Sequence, residues 1–226
     1  MARSKPRKWS DLRDAPAYTL AEAALYLRLP PATVRAWFRG QTGFKPVLEM
    51  ADPQGGGLSF TNLVEAHVLA AIRRRHGVSL RKVRSAIEFV QEKLGVDRPL
   101  AKQEFATNGI DLFVEHLNEL LNVSQGGQKV LQAFRDRLER IERDDSGLPI
   151  KLYPLVRSSD VDDQPRTVVI DPRVSFGRPV IAGTGIPTAV LAERFLAGES
   201  AEELADDYGI TKEAIEDALR CESRAA

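Results

Sequence analysis

The residues best placed to do chemistry lie at helical spacing near the N-terminus, and that chemistry is electrostatic. Thr33, Arg35 and Arg39 share one short predicted helix, Lys45 follows it, and Arg81 opens a later helix. Such cations and hydroxyls can meet phosphate oxygens, and an arginine can read a guanine edge with two hydrogen bonds. Catalytic constellations are not evident. His67, His76 and His116 sit on separate predicted elements without metal-ligand spacing. Cys221 is the sole cysteine, so neither an internal disulfide nor a cysteine-rich zinc site can form. No Ser or Cys has a recognisable His partner. The run Gly177-Arg178-Pro179-Val180-Ile181-Ala182-Gly183-Thr184-Gly185-Ile186-Pro187 could cradle phosphate before a helix. It lacks the spacing and lysine of a Walker motif, and it is not a dinucleotide fingerprint. No enzyme activity, cofactor or metal is expected.

Charge divides the 226-residue chain. Its formal net charge is zero, yet residues 1–100 hold 17 Lys+Arg against 9 Asp+Glu. The other 126 residues hold 15 against 23. A basic half and an acidic half suggest two different partners, the first of them a polyanion. The basic start, Met1 to Lys8, has no apolar run behind it and is not a secretory signal. No stretch approaches the roughly 20 apolar residues of a membrane span. A soluble cytoplasmic protein without a membrane partner is expected.

The cations need elements to position them. Thr19-Leu20-Ala21-Glu22 is a capping box, and Leu20, Ala23, Ala24 and Leu27 then recur at helical spacing. Leu29-Pro30 breaks that helix. Pro31 suits the first turn of the next, which Gly40 closes. Two short helices about a tight turn make a helix-turn-helix. Val34, Trp37 and Phe38 can face the first helix, which makes core a better assignment than base stacking for the two aromatics. Phe44 to Met50, the Gly/Pro loop Ala51 to Gly57, and Leu58 to Phe60 read as a hairpin wing. A third helix, capped by Thr61 or Asn62, carries Leu63, Val64, Val68 and Ile72 and ends in Arg73-Arg74-Arg75-His76-Gly77. A fourth starts at Ser79 and buries Leu80, Val83, Ile87, Val90 and Leu94, with Arg81, Lys82 and Arg84 off that stripe.

In the middle, Asn108-Gly109 predicts a two-residue hairpin turn, and Ile110–Val114 and Leu120–Val123 read as candidate strands. After Gln125-Gly126-Gly127-Gln128 a helix places Leu131, Phe134, Leu138 and Ile141 on one stripe, either a dimer seam or core. Ile150–Leu155 reads as a strand and Ser158–Pro165 as a linker. Beyond a short strand at Thr167–Ile170, three helices are predicted. Thr188 caps one that Gly198 ends, Ser200 to Glu203 is a second capping box, and Thr211 caps the last. This second helix-turn-helix outline carries Glu202, Glu203, Asp206, Asp207, Glu213, Glu216 and Asp217 against Lys212 and Arg220, a surface that repels phosphate and suits a protein partner.

Two resemblances rest on these segments. "YTLAEAALYLRLPPATVRAWFRG", the wing, and "LSFTNLVEAHVLAAIRRRHGVSLRKVRSAIEFV" resemble the winged DNA-binding domain of MerR-type regulators, which bind DNA as dimers. That likeness implies Thr33, Arg35 and Arg39 in the major groove of double-stranded operator DNA, with Lys45 on its backbone and Arg81 as a further contact. No long coiled-coil helix follows the fourth helix, a departure from the usual MerR dimer seam. "FGRPVIAGTGIPTAVLAERFLAGESAEELADDYGITKEAIEDAL" resembles a small bacterial domain found in VapB-type antitoxins, the partners of PIN-type ribonuclease toxins. It implies toxin contacts at Arg173, Arg178, Gly183, Thr184 and Arg194. Many members carry Arg where this chain has Gly185. An arginine could neutralise the carboxylates of a PIN-type site. Arg178 either does this or braces its own domain against Asp171 or a helix end.

The expectation is a mainly α fold with small β elements. Residues 1–98 form a MerR-like winged helix-turn-helix, 99–160 an α/β connecting and dimerisation segment, and 161–226 a trihelical toxin-binding domain. The implied function is a homodimeric type II antitoxin that represses its own operon. The alternatives are a MerR-like regulator whose rear half senses a small ligand, and a structural adaptor with no DNA role.

Overall fold

Capping boxes start the helices of both ends. A computed structural model describes residues 11–72, 79–121, 127–155 and 165–223. The segments 1–10, 73–78, 122–126, 156–164 and 224–226 are outside it. The basic start at Met1 to Lys8, the Arg73 to Gly77 run and most of the Ser158–Pro165 linker therefore lie outside the described residues. Thr19 and Glu22 close the first box at α1 (Leu20–Tyr26), and Pro31 opens α2 (Pro31–Arg39), which Gly40 ends at a positive φ. Ala23, Ala24, Val34, Trp37 and Phe38 are buried, as the spacing predicts, in the apolar cluster that also holds the side chains of α3 (Phe60–Leu69). The cap of α3 is Ser59, not Thr61 or Asn62; Asn62 is its N3 partner.

All ten residues of α3 are buried, which suits a helix apolar nearly all round. Its three large polar side chains each have partners. The Asn62 amide donates to the Glu49 carbonyl at 2.6 Å and accepts from Ala51 N at 2.9 Å. Glu65 receives the Arg98 guanidinium at 2.5 Å, with burial pushing its carboxyl upward and Arg98 pulling it back. His67 Nε2 lies 3.1 Å from the Arg137 carbonyl, and since a carbonyl only accepts, Nε2 carries the proton. Such pairing is what lets polar groups sit in a core.

α4 (Leu80–Leu94) is capped by Ser79 and ended by left-handed Gly95. The middle segment departs from expectation. No hairpin forms at Asn108-Gly109; a π turn over Phe105–Gly109 runs straight into α5 (Ile110–Leu121), in place of the predicted strand at Ile110–Val114. The second predicted strand falls on the end of α5 and on residues outside the description. Ile110, Phe113, Val114 and Leu117 follow the helical period and all are buried. Gly109 serves packing rather than turning: a Cβ there would fall 2.8 Å from the Phe105 ring. α6 (Gly127–Leu138) places Phe134 in an edge-to-face cluster with Phe105 and Phe113 at 5.6 and 5.3 Å, so its stripe is core. Ile141 leaves that stripe for β1 (Ile141–Arg143), antiparallel to β2 (Pro149–Leu152).

The antiparallel pair β3 (Val168–Val169) and β4 (Val180–Ile181) opens the C-terminal unit. A bridge from Leu152 to Ile170 ties the two small sheets together. Then come α7 (Thr188–Leu196), α8 (Ala201–Tyr208) and α9 (Lys212–Glu222). Pro187, not Thr188, stands at the α7 cap position. The Thr188 hydroxyl is buried within reach of the Pro179 carbonyl and the Glu222 carboxylate. One contiguous cluster of buried apolar side chains runs from Tyr18 to Cys221. Among the described residues the chain is mainly helical with two small antiparallel sheets, and no helix is long and apolar enough to cross a membrane.

Candidate nucleic-acid and partner surfaces

Burying Val34, Trp37 and Phe38 turns the other face of α2 outward. Arg35 and Arg39, one turn apart, are exposed on it, and Thr33 is half-buried near its start. No side chain caps this helix's N-terminus. The loop after α2 folds back on the helix end, where Val47 N and Leu48 N both donate to the Trp37 carbonyl. The predicted wing has no paired strands. It is a loop held by single bridges, Gln41 to Phe44, Asp52 to Gly57 and Tyr18 to Leu58. The Asp52 carboxylate accepts from Gln54 N and Gly55 N, so the Gly-rich tip is fixed by an Asx turn rather than by a ladder.

This loop gathers the predicted cations. A Cβ at Gly56 would stand 2.7 Å from Arg39 Nη2, so the guanidinium rests on the glycine tip. Arg84 of α4 donates to the carbonyls of Lys45 and Pro46 and pins the segment that carries exposed Lys45. Arg81, also exposed, precedes Arg84 by one helical turn. Arg84 is the member that spacing alone did not single out. Its place off the apolar stripe was visible, but a backbone carbonyl leaves no signature in the sequence.

The C-terminal candidates are placed differently. Arg173 reaches back to Asp171 at 2.8 Å, and its hydrogen bonds outweigh burial to hold that carboxyl below the usual range. Arg194 pairs with Glu199 and Asp207 and lies over the Tyr208 ring. Arg178 crosses to the N-terminal unit and pairs with Glu22 of α1. Neither Asp171 nor a helix end of its own domain is its partner. Burial alone would raise the Glu22 carboxyl; hydrogen bonds from Thr19 and Arg178 reverse that and hold it low. Beside this pair the Tyr18 hydroxyl donates to the Gly177 carbonyl at 2.8 Å, and Arg28 donates to the Arg220 carbonyl. Gly183 and Thr184 are exposed at the tip of the turn after β4, where the Thr184 hydroxyl bonds the Ile181 carbonyl. Gly185 has φ +75°, so an arginine at this position would need a strained left-handed backbone. Among the described residues no three of His, Cys, Asp and Glu gather as metal ligands would.

Known proteins divide the chain at similar places. The family described as "Putative DNA-binding HTH domain" matches residues 16–87. The family described as "Protein of unknown function (DUF433)" matches residues 168–220. A Mycobacterium tuberculosis protein named "Putative antitoxin VapB45" is 31% identical, over 91% of this chain and 93% of its own length. The chain belongs to the family of that antitoxin. A second relative from the same organism, an uncharacterised protein named Rv2308, is 26% identical over 93% of this chain and 91% of its own. The crystal structure of Rv2018, also from M. tuberculosis, matches with a TM-score of 0.68 at 29% identity, covering 91% of this chain and 98% of that one. The helix-turn-helix family thus coincides with the basic unit, and the second family with the acidic trihelical unit.

Proposed function

We propose that this chain is the antitoxin of a type II toxin–antitoxin pair, a cytoplasmic homodimer that represses its own operon and blocks a PIN-type ribonuclease. The observation that carries the reading is the shared location of the exposed cations on α2, the following loop and α4, within a helix-turn-helix of an antitoxin family. In a MerR-like docking, α2 enters the major groove of the operator. Thr33 and Arg35 reach base edges or phosphates near its N-terminus, while Arg39, Lys45 and Arg81 hold the backbone. The C-terminal unit faces the toxin. Arg173, Gly183 and Thr184 are exposed enough to touch it, whereas Arg178 and Arg194 position the loop and helices through their carboxylate partners.

Gel shifts on the chain's own promoter test the DNA half. Arg35→Ala with Arg39→Ala should weaken binding about 30-fold at fixed salt and lower the salt slope by about two. Unchanged affinity and slope would remove α2 as the reading helix.

A further inference from the structure

Six large apolar side chains are exposed among the described residues, and four of them, Phe176, Val190, Phe195 and Leu196, belong to the C-terminal unit. The extreme cases are Phe176, 93% exposed, and Leu196, 84% exposed. At about 100° per residue, Ala189, Val190, Glu193, Leu196 and Ala197 fall on one side of α7, an arc of roughly 120°. All five are exposed, and Glu193 is the one polar member. Phe176 and Ala189 both line a shallow hollow of about 300 Å³ between the loop and this helix, so ring and helix face form one surface.

The backbone holds that ring outward. Ser175, Phe176 and Gly177 have φ of +46°, +55° and +77°, three successive left-handed residues of which only one is glycine. Strain of this kind persists where the surroundings impose it. Here Tyr18 imposes it, since its hydroxyl bonds the Gly177 carbonyl and would stand 2.3 Å from a Cβ at that glycine. The result is a constrained turn that leaves the phenyl ring in solvent.

We propose that Phe176 and the outer face of α7 dock into an apolar groove on the toxin whose rim is lysine and arginine. The proposal rests on reading this chain as an antitoxin, and it names the surface and the chemistry of its partner. Charge selects the occupant. Residues 188–223 carry ten acidic side chains against three basic ones, and Glu193, Asp206 and Glu213 are exposed without an ion pair among the described residues. A second copy meeting this face with its own acidic unit would set like charge against like, and a nucleic acid would be repelled. A ribonuclease needs a cationic surface to hold RNA phosphates, so an acidic unit anchored by Phe176 would cover the face where its substrate binds.

Calorimetric titration of the full chain with the purified toxin of the adjacent reading frame tests this. Phe176→Gly suits the local backbone, so the loop keeps its shape and only the anchor is lost; Leu196→Ser tests the helix face independently. Each should raise Kd about 30-fold while leaving operator affinity unchanged, and wild-type binding should weaken as salt rises. Toxin binding within about twofold of wild type in both variants would overturn the proposal and leave the antitoxin reading standing. Failure of the wild-type chain to bind the toxin would overturn both. Sedimentation showing a dimer that Phe176→Gly dissociates would make the face a self-interface and overturn the proposal as well.

Discussion

The two ends of the molecule build similar helix pairs from the same local rules and then expose opposite chemistry. α1 and α8 each begin with a complete capping box, from Thr19 and from Ser200, and each leads through a tight turn into a second short helix. On α2 the outward residues include Arg35 and Arg39. On α8 and α9 they include Glu202, Asp206 and Glu213. The first unit exposes two large apolar residues, Leu12 and Phe44, where the last exposes four. A fold outline alone therefore says little about the ligand. The charge and apolarity of the faces left over after packing decide it.

The largest test of the comparison asks whether the ends are separable at all. Ending the chain after residue 160 would remove Ile170, Leu191 and Ile215 from a core that is continuous with Tyr18. It would also remove the backbone bonds between Leu152 and Ile170, the Tyr18 bond and the Arg178 pair. The shortened chain should melt more than about 10 °C below the full chain, because each lost kcal/mol shifts a domain of this size by roughly 2–4 °C. At a temperature where it stays folded it should keep its operator affinity. An unchanged Tm by calorimetry would mean that the two ends are independent modules.

How far this comparison was legible in the sequence follows from the range of each signal. Caps, helix-ending glycines and apolar periods act within about four residues, and the boxes at Thr19 and Ser200 stand where they were read. The Asn108-Gly109 turn failed because Phe105, Phe113 and Phe134 needed a helix there, and burying three rings outweighs one turn preference. The exposed cations of α2 could be read because α2's buried face was clear. The tie from Arg178 to Glu22 could not, since the two lie 156 positions apart and each has nearer carboxylates or cations to choose from. Phe176 reads as core by type, yet it stands exposed in a left-handed turn.

Histidine sharpens the contrast with a smaller effect. All three histidines lie before residue 117, so the C-terminal unit has none. Burial first, then the charges of Arg137 and Arg140, holds the His67 imidazole well below its usual value near 6.5. A depressed histidine stays neutral in the fold while the unfolded chain takes up a proton. Stability is therefore complete above about pH 6.5 and is lost as pH falls through that value, at about 1.4 kcal/mol per pH unit. Denaturant unfolding at several pH values between about 7 and 5.5 should show this slope, and His67→Gln should flatten it. A slope that survives the substitution would place the sensitivity elsewhere.

The smallest effect bears on how the two ends meet. The Tyr18 hydroxyl is buried and its bond to the Gly177 carbonyl joins the helix-turn-helix unit to the loop that presents Phe176. Tyr18→Phe keeps the ring and its packing on Tyr26 at 6.5 Å and removes only the donor. It should cost about 1 kcal/mol of stability, the usual net value of one such bond. Two affinities then separate a plain structural bond from a positioning one. A structural bond leaves operator and toxin binding both unchanged once the chain is folded. If Tyr18 holds the Ser175–Gly177 turn in its left-handed form, toxin affinity falls several-fold and operator affinity does not. The distinction is readable because Arg35 and Arg39 lie on α2, away from the residues that Tyr18 touches across the seam. Equal losses in both affinities would mean that the seam transmits change in either direction, and the two ends would then be a single coupled body rather than two faces with separate partners.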